Sequence, residues 1–195
     1  MRYIFLDIET VPLQIKDDYV IRYLMNKKLT DASRSLDPNY SRIIVIGVKY
    51  EDNSRLFSGE EKQILIDFWN FIRENDGIIV THNGCKFDIP FIIARSIANS
   101  VKITKEINFN PWSAFRGNHI DVMLVFSQNV FVNSGLRILA KLNNIEFEDE
   151  NITGKDVERL YNEGRLDEIK KHCEKDIEIL EKLFNKRCKN YIEKI

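Results

Sequence analysis

Residues 5–10 read FLDIET and place two carboxylates inside an otherwise apolar strand. Asp7 and Glu9 are two positions apart, so in a strand they share one face and lie roughly 7 Å from each other. Neighbouring carboxylates repel each other and are costly to remove from water. An exposed edge pair would avoid that cost, but the apolar residues on both sides disfavour it. The stretch therefore indicates a buried strand whose acidic pair needs a compensating partner.

The composition predicts one globular domain over residues 1–195, with an insertion at about 12–42 after the first strand. Hydrophobic residues make up 44% of the chain and charged residues 30%, as in ordinary globular domains. No apolar run approaches the roughly 20 residues of a membrane span, and the acidic, strand-like N-terminus is unlike a signal peptide. The formal net charge of −1 gives no global signature of a nucleic-acid binder, although a local basic patch or metal ions could supply the attraction.

The cysteines indicate the compartment and raise one metal hypothesis. Cys85, Cys173 and Cys188 are an odd number at no framework spacing, which favours reduced thiols and predicts a cytoplasmic location. His82 and Cys85, with His172 and Cys173, could form a zinc site. Adjacent residues on a helix point about 100° apart, and no C-x-x-C pair is present, so the pattern disfavours zinc.

Strand-like and helix-like segments alternate along the chain. The β-branched and apolar runs that predict strands are residues 2–10, 42–52, 54–59, 76–84 and 119–126. The segments that predict helices are residues 60–75, 87–100, 133–145, 153–164 and a long one from 166 to about 191, with a short helix expected within 17–29. This order predicts an α/β fold in which helices flank a mixed sheet of about five strands.

Two further carboxylates lie where they could join Asp7 and Glu9. Asp88 follows a strand at its junction with a helix, and Asp176 lies four residues after His172 on the terminal helix. Alone, Asp88 would be an ordinary helix cap and Asp176 part of a solvated face. Together the four form a hard-oxygen ligand set for Mg²⁺ or Mn²⁺. Two such ions can clamp a phosphodiester, one activating water and the other stabilising the leaving oxygen.

Three motifs carry a resemblance to a known family. FLDIET, HNGCKFD (82–88) and HCEKD (172–176) resemble the three exonuclease motifs of the DEDD superfamily of 3′-5′ exonucleases, in the family's order. The sequence is most similar to the proofreading exonuclease domain of family B DNA polymerases and its free-standing relatives. The likeness runs from about Met1 to Phe184. It implies a ribonuclease H-like fold and two divalent metal ions, Mg²⁺ or Mn²⁺.

The resemblance also implies roles for individual residues. Asp7 would bridge both ions, Glu9 and Asp176 would complete one metal site, and Asp88 would hold the second ion through water. For substrate, it implies that the backbone and side chains next to Glu9 and Thr10 grip the terminal 3′-hydroxyl, which makes Thr10 a substrate-binding residue. It also implies that Asn83 lies near the terminal nucleotide and that Phe87 packs behind the site.

His172 departs from the family pattern. One branch of the superfamily has Tyr four residues before the last Asp, and the other has His five residues before it. Here His172 stands four residues before Asp176, so His occupies the Tyr position. A helix turns about 100° per residue, so the two spacings aim a side chain differently. We count His172 among the catalytic residues, as a group that orients the attacking water or deprotonates it.

The predicted activity is 3′-5′ exonucleolytic hydrolysis of nucleic acid that releases nucleoside 5′-monophosphates. Single-stranded DNA is the first expected substrate, by resemblance to proofreading domains. Any role in DNA repair or proofreading would be in trans to a polymerase or repair complex, and no membrane is expected as a partner. Two alternatives stay open: a 3′-5′ exoribonuclease with the same site, and a catalytically weak nucleic-acid-binding module.

Several other side chains have more ordinary interpretations. Asp121 is expected to make structural hydrogen bonds, and His119 is expected at the surface. Trp112 and Phe115 could stack a nucleobase or simply pack. Basic residues of the insertion, such as Arg34 and Arg42, could follow a phosphate backbone or belong to a solvated face.

Overall fold

The computed structural model of the chain describes residues 1–113, 117–128, 131–148 and 152–194, and a five-stranded sheet lies at its centre. The strands are β1 (Tyr3–Pro12), β2 (Ser41–Tyr50), β3 (Asn53–Ser58), β4 (Ile78–Thr81) and β5 (His119–Asp121). They lie side by side in the order β3-β2-β1-β4-β5. The β1–β2 and β2–β3 pairs are antiparallel, whereas β1–β4 and β4–β5 are parallel. The predicted mixed α/β sheet is confirmed.

Helices cover both faces of this sheet. They are α1 (Asp18–Asn26), α2 (Asp31–Arg34), α3 (Glu61–Glu74), α4 (Asp88–Ala98), α5 (Val122–Ser127), α6 (Leu136–Leu142), α7 (Val157–Asn162), α8 (Leu166–Leu183) and α9 (Lys189–Ile192). A single π-helical turn, Phe184–Cys188, joins α8 to α9, so the long helix expected from residue 166 to about 191 is interrupted once. Within the described ranges, no helix is long and apolar enough to cross a membrane.

The side chains of β1 point alternately to the two faces of the sheet, and this alternation determines the direction of the acidic side chains. Phe5 and Val11 belong to the hydrophobic cluster that packs under α7 and α8. Leu6 and Ile8 belong to the cluster on the opposite face, under α3 and α4. Successive side chains of a strand point to opposite faces. Asp7 therefore points with Phe5 toward α8.

The insertion predicted at about 12–42 contains α1 and α2 and ends where β2 begins. Asp17 caps α1 by accepting hydrogen bonds from the backbone N–H groups of Tyr19 and Val20. The hydroxyl of Thr10 donates to the carbonyl of Ser35 at 2.7 Å, which ties the insertion to the end of β1.

Two expectations for residues 119–126 were wrong. The strand ends at Asp121, because the Asp121 carboxylate accepts from the backbone N–H groups of Met123 (3.1 Å) and Leu124 (3.4 Å) and so begins α5. His119, expected at the surface, is fully buried. Its ring contacts the Thr81 hydroxyl at 2.8 Å and the Asn108 carbonyl at 2.7 Å, partners that a local pattern does not reveal.

Candidate active site

Strand β1 supplies the first two carboxylates of the site. Glu9 is buried and Asp7 half-buried. A register shift in the β1–β2 pairing follows Glu9, where one extra residue of β2 is accommodated. Burial raises the pKa of both carboxyls well above the ordinary range, and the charges of Asp88 and Asp176 raise both further. Their ionised forms are thus unfavourable without a nearby cation.

The turn between β4 and α4 places the third carboxylate. Asn83 has a left-handed backbone (φ 68°) that few non-glycine residues adopt. The Asp121 carboxylate stabilises this turn by accepting from the backbone N–H groups of Asn83 (2.9 Å) and Cys85 (3.0 Å), the structural role expected for it. Asp88 follows as the first residue of α4 and is almost fully buried.

Asp88 carries an unsatisfied buried oxygen. Its Oδ1 has no hydrogen-bond partner within the described part of the chain. Burial raises its pKa to about 8, the charge of Asp121 raises it too, and hydrogen bonds from the backbone of Asp88 and Ile8 oppose the shift. Buried polar atoms are normally hydrogen-bonded. The exception therefore indicates that a ligand completes this position.

Helix α8 brings the fourth carboxylate and His172 to the same place. His172 is buried, and its Nε2 lies 3.9 Å from Glu9 Oε1 and 3.8 Å from Asp176 Oδ2. The close approach of α8 to the sheet depends on Gly47, which is paired with Asp7 in the sheet. A Cβ atom at Gly47 would lie 2.5 Å from Ile177 Cδ1 and 2.7 Å from Cys173 Sγ. The glycine thus lets the helix carrying Asp176 approach the strand carrying Asp7.

Cys173 also faces the carboxylates. Single ligand atoms of Asp7, Glu9 and Cys173 all lie within 4.8 Å of one another. Burial and the neighbouring charges of Asp7 and Glu9 raise the pKa of the Cys173 thiol well above its ordinary value. Sulfur is a soft donor, whereas Mg²⁺ and Mn²⁺ prefer hard oxygen donors. For these ions the donors that the cluster offers are the carboxylate oxygens.

The sequence did not single out Arg137, which the structure places in the site. Its guanidinium pairs with Asp176 Oδ1, with Nη2 at 2.8 Å and Nε at 3.1 Å. Nη2 also lies 3.2 Å from His172 Nδ1. Arg137 is on α6, 39 residues before Asp176, and no local motif distinguishes it from the other basic residues on helices.

The chemistry of these donors fits divalent cations. Four carboxylates, from Asp7, Glu9, Asp88 and Asp176, lie in this site, and the charges of Asp88 and Asp176 raise the pKa of both Asp7 and Glu9. Hard oxygen donors of this kind suit Mg²⁺ or Mn²⁺. A bound cation would relieve the repulsion and satisfy the buried oxygen of Asp88. These four residues are therefore the ones that could hold metal ions.

The residues expected to contact substrate occupy different environments. The Asn83 Oδ1 atom is buried and has no hydrogen-bond partner among the described residues, while Thr10 donates to Ser35. The Phe87 ring packs edge-on against Phe91 at 5.3 Å, on the side of α3 and α4. Trp112 is 75% exposed, so it does not pack in the core. Phe115 lies outside the described residues.

Beyond the end of β1 lies a cleft of about 690 Å³ bordered by the insertion and α7. Val11, Arg34, Arg42 and Tyr161 are among its lining residues. The Arg42 guanidinium lies over the Tyr161 ring at 5.3 Å and donates to the Tyr161 hydroxyl at 2.8 Å. Arg34 donates to the Leu13 carbonyl at 2.7 Å. Asp31, which pairs with Arg34, and Glu158 also line the cleft, so it combines an aromatic wall with charges of both signs.

Comparison with known proteins identifies the fold and the family of the chain. A search of curated proteins finds no match. Among solved structures, the chain is similar to the family B DNA polymerase from the hyperthermophilic archaeon Pyrobaculum calidifontis, with 19% identity and a TM-score of 0.70. The alignment covers 95% of this chain and 24% of the polymerase, so the chain spans about a quarter of that protein's length. The shared fold is the ribonuclease H-like fold expected from the sequence.

A family model shows the relationship more directly. It describes a predicted 3′-5′ exonuclease related to the exonuclease domain of PolB, and it matches residues 35–180. The matched region includes Asp88, Arg137, His172 and Asp176. Asp7 and Glu9 precede it, and the structure brings them to the same site. The chain belongs to this family of predicted 3′-5′ exonucleases related to the exonuclease domain of PolB.

Proposed function

We propose that this protein is a metal-dependent 3′-5′ exonuclease that shortens single-stranded DNA one nucleotide at a time. The observation that carries the proposal is the convergence of Asp7, Glu9, Asp88 and Asp176 at one buried place, with proton affinities raised in three of them. Burying several carboxylates together is unfavourable unless a cation compensates them. A purely structural acidic residue would instead be paired with a base on both oxygens, as Glu61 is with Arg95, whereas Arg137 contacts Oδ1 of Asp176 and leaves Oδ2 facing the site.

The reaction is addition of water across the terminal phosphodiester. The water oxygen bonds to phosphorus, the bond from phosphorus to the leaving 3′-oxygen breaks, and that oxygen gains a proton. The products are a nucleoside 5′-monophosphate and a chain one nucleotide shorter with a new 3′-hydroxyl. Two divalent ions, when bound, would supply water activation and stabilisation of the leaving oxygen.

The chain's own residues hold and orient the reactants in this proposal. Asp7 would reach both ions, with Glu9 and Asp176 at one and Asp88 at the other. The Asn83 amide oxygen, buried and unsatisfied among the described residues, would accept from the terminal nucleotide. The cleft beyond Thr10 would receive that nucleotide, with Arg34 and Arg42 as the cationic side chains that line it beside Asp31 and Glu158. Phe87 would support the turn from behind.

A degradation assay on matched oligonucleotides tests this proposal. Single- and double-stranded DNA and RNA of one sequence, labelled at the 3′ end, are incubated with Mg²⁺, with Mn²⁺ or with a chelator. We expect labelled mononucleotide from single-stranded DNA, dependent on either metal and lost in Asp7→Ala. A 5′-labelled copy of each strand should give a ladder that shortens from the 3′ end.

The other outcomes identify the alternatives. Faster release from RNA than from DNA would make the protein an exoribonuclease with the same site. Tight binding of the oligonucleotides without release under either metal would contradict the exonuclease proposal and leave a nucleic-acid-binding module. Action in trans to a polymerase or a repair complex belongs to the proposal only if DNA is degraded.

A further inference from the structure

The interaction of Arg137 with His172 determines which nitrogen of the imidazole carries a proton. An arginine side chain has only hydrogen-bond donors. Nη2 of Arg137 lies 3.2 Å from His172 Nδ1, so Nδ1 must accept that hydrogen bond with its lone pair. A neutral imidazole has one N–H and one acceptor nitrogen. The proton of His172 is consequently on Nε2.

That proton points into the acidic cluster. His172 Nε2 lies 3.9 Å from Glu9 Oε1 and 3.8 Å from Asp176 Oδ2. Both distances exceed those of a direct N–H···O hydrogen bond, and a polar contact of this length is one that water can bridge. An N–H at Nε2 can donate to the oxygen of such a water molecule. It cannot remove a proton from it.

Arg137 also determines the orientation of the Asp176 carboxylate. Its Nε and Nη2 both contact Oδ1 of Asp176, at 3.1 and 2.8 Å. The other oxygen, Oδ2, is the one that faces His172 Nε2. The guanidinium is planar and delocalised, so two contacts on one oxygen restrict the rotation of that carboxylate. Both side chains of the ion pair are largely shielded, with 24% and 21% exposed.

We propose that Arg137 is a positioning residue, which holds Asp176 and keeps His172 as an Nε2–H donor that orients the attacking water. This inference rests on the proposed exonuclease function and chooses between the two roles left open for His172. His172 at the tyrosine position then acts as a hydroxyl would, by donating a hydrogen bond. Arg137 acts through its neighbours and touches neither water nor substrate in this scheme.

The first test determines which ring nitrogen of His172 carries a proton, and it does not require enzymatic activity. Long-range ¹H–¹⁵N correlation spectra of ¹⁵N-histidine-labelled protein, recorded without metal, distinguish protonated from unprotonated imidazole nitrogens. The chain has three histidines, and the spectrum of His172→Gln identifies the signals of His172. We expect an unprotonated Nδ1 and a protonated Nε2. In Arg137→Met, which cannot donate, both signals should shift toward the average of a ring exchanging its tautomers.

The second test separates positioning from substrate binding. Partners that orient metal ligands typically contribute 10–100-fold to activity. Arg137→Met should therefore lower kcat on single-stranded DNA about 10–100-fold and change KM less than about threefold. Arg159→Gln, which removes an exposed arginine paired with Asp156 and Glu163 on α7, serves as the matched control and should retain the kcat of the unmodified protein.

The outcomes that overturn the inference are distinct from failure of the proposed function. A protonated Nδ1 in the unmodified protein would overturn it, as would His172 signals that are identical in Arg137→Met. A large rise in KM with unchanged kcat would make Arg137 a substrate ligand instead. If no substrate is degraded, the exonuclease proposal fails, and the spectra still decide whether Arg137 sets the His172 tautomer. If Arg137→Met does not fold, a protonated Nδ1 in the unmodified protein would still overturn the inference.

Discussion

The buried acid Glu61 and the acidic cluster around Asp7 and Glu9 lie on opposite sides of the sheet, and their surroundings differ in whether they satisfy the carboxylates. Under α3 and α4, Glu61 is fully satisfied: Oε1 accepts from Ile43 N (2.8 Å) and Arg95 Nε (2.9 Å), and Oε2 accepts from Arg95 Nη2 (2.7 Å) and Asn99 Nδ2 (3.0 Å). Beside α8, Asp7 and Glu9 are crowded with further carboxylates, and the pKa of each is well raised.

The difference shows how a structural acid can be distinguished from a candidate ligand. A buried carboxylate with a bidentate arginine and a backbone N–H has its hydrogen-bonding capacity filled within the fold. In the site, the pKa values of Asp7, Glu9 and Asp88 are raised by burial, and Asp88 has an oxygen without a partner in the described ranges. Glu61 therefore stabilises the fold, whereas the site is arranged for a partner that the fold does not contain.

The largest expected effect is on activity. Asp7→Asn should lower nucleotide release by at least about 10³-fold, the upper end of the cost of removing one charge-stabilising group. It should leave stability without metal equal or higher, because the pKa of Asp7 is raised in the fold. Release rates and urea unfolding in chelator measure both. Asp167→Asn, a change of an almost fully exposed acid on α8, is the control. Marked destabilisation by Asp7→Asn would show that the site acids are structural.

The next effect is on stability. Glu61→Gln removes the charge opposite Arg95 in a buried pair, and breaking such a pair typically costs 3–5 kcal/mol. Urea unfolding should show about that loss, while the release rate per folded molecule stays unchanged. Glu74→Gln, at the exposed end of the same helix, should change stability little. Loss of activity without loss of stability in Glu61→Gln would contradict the structural role that we assign to Glu61.

A third prediction concerns pH. Asp88 has a pKa raised from 3.8 to about 8 in the fold, so its contribution to stability is complete below the ordinary value and is lost as pH rises through about 8. Asn at this position does not ionise. Without metal, Asp88→Asn should therefore match the unmodified protein at pH 4 and exceed its stability at pH 9 by a few kcal/mol, at about 1.4 kcal/mol per unit of pKa difference.

Urea unfolding at both pH values in chelator measures this difference, with Asp167→Asn as the control. An equal effect of Asp88→Asn at pH 4 and pH 9 would contradict the burial that we assign to Asp88. Added Mg²⁺ or Mn²⁺ should stabilise the unmodified protein at pH 9 more than the variant.

The smallest expected effect tests the packing of α8. Gly47→Ala would place a Cβ atom 2.5 Å from Ile177 Cδ1 and 2.7 Å from Cys173 Sγ, so these buried side chains or α8 itself must shift away from β2. Overpacking of this kind costs about 1–3 kcal/mol. We expect α8 to shift, which moves Asp176 relative to Asp7, so activity should fall by more than the loss of folded protein explains. Circular dichroism measures the loss of folded protein and release rates measure the loss of activity, both at one temperature. Equal losses would show that the site tolerates the movement.

Much of the fold and of the site could be predicted from local patterns. The strand periodicity of residues 5–10 correctly puts Asp7 and Glu9 on one face, and β1 contains them as expected. The hairpin of β2 and β3 and the start of α8 at Leu166 were also predicted. The end of β5 was not, because it depends on the Asp121 carboxylate, which caps α5 and also holds a turn 36 to 38 residues earlier.

The sequence by itself determined which residues are candidates for the chemistry, because the spacings of two in Asp7–Glu9 and four in His172–Asp176 place each pair on one face of a strand or helix. Only the tertiary structure decided what surrounds them. The contact of Arg137 with Asp176 spans 39 residues, and the approach that Gly47 allows depends on a helix more than 120 residues away. Such partners meet through packing, which leaves no periodic signal in the chain. They determine the tautomer of His172 and the orientation of Asp176.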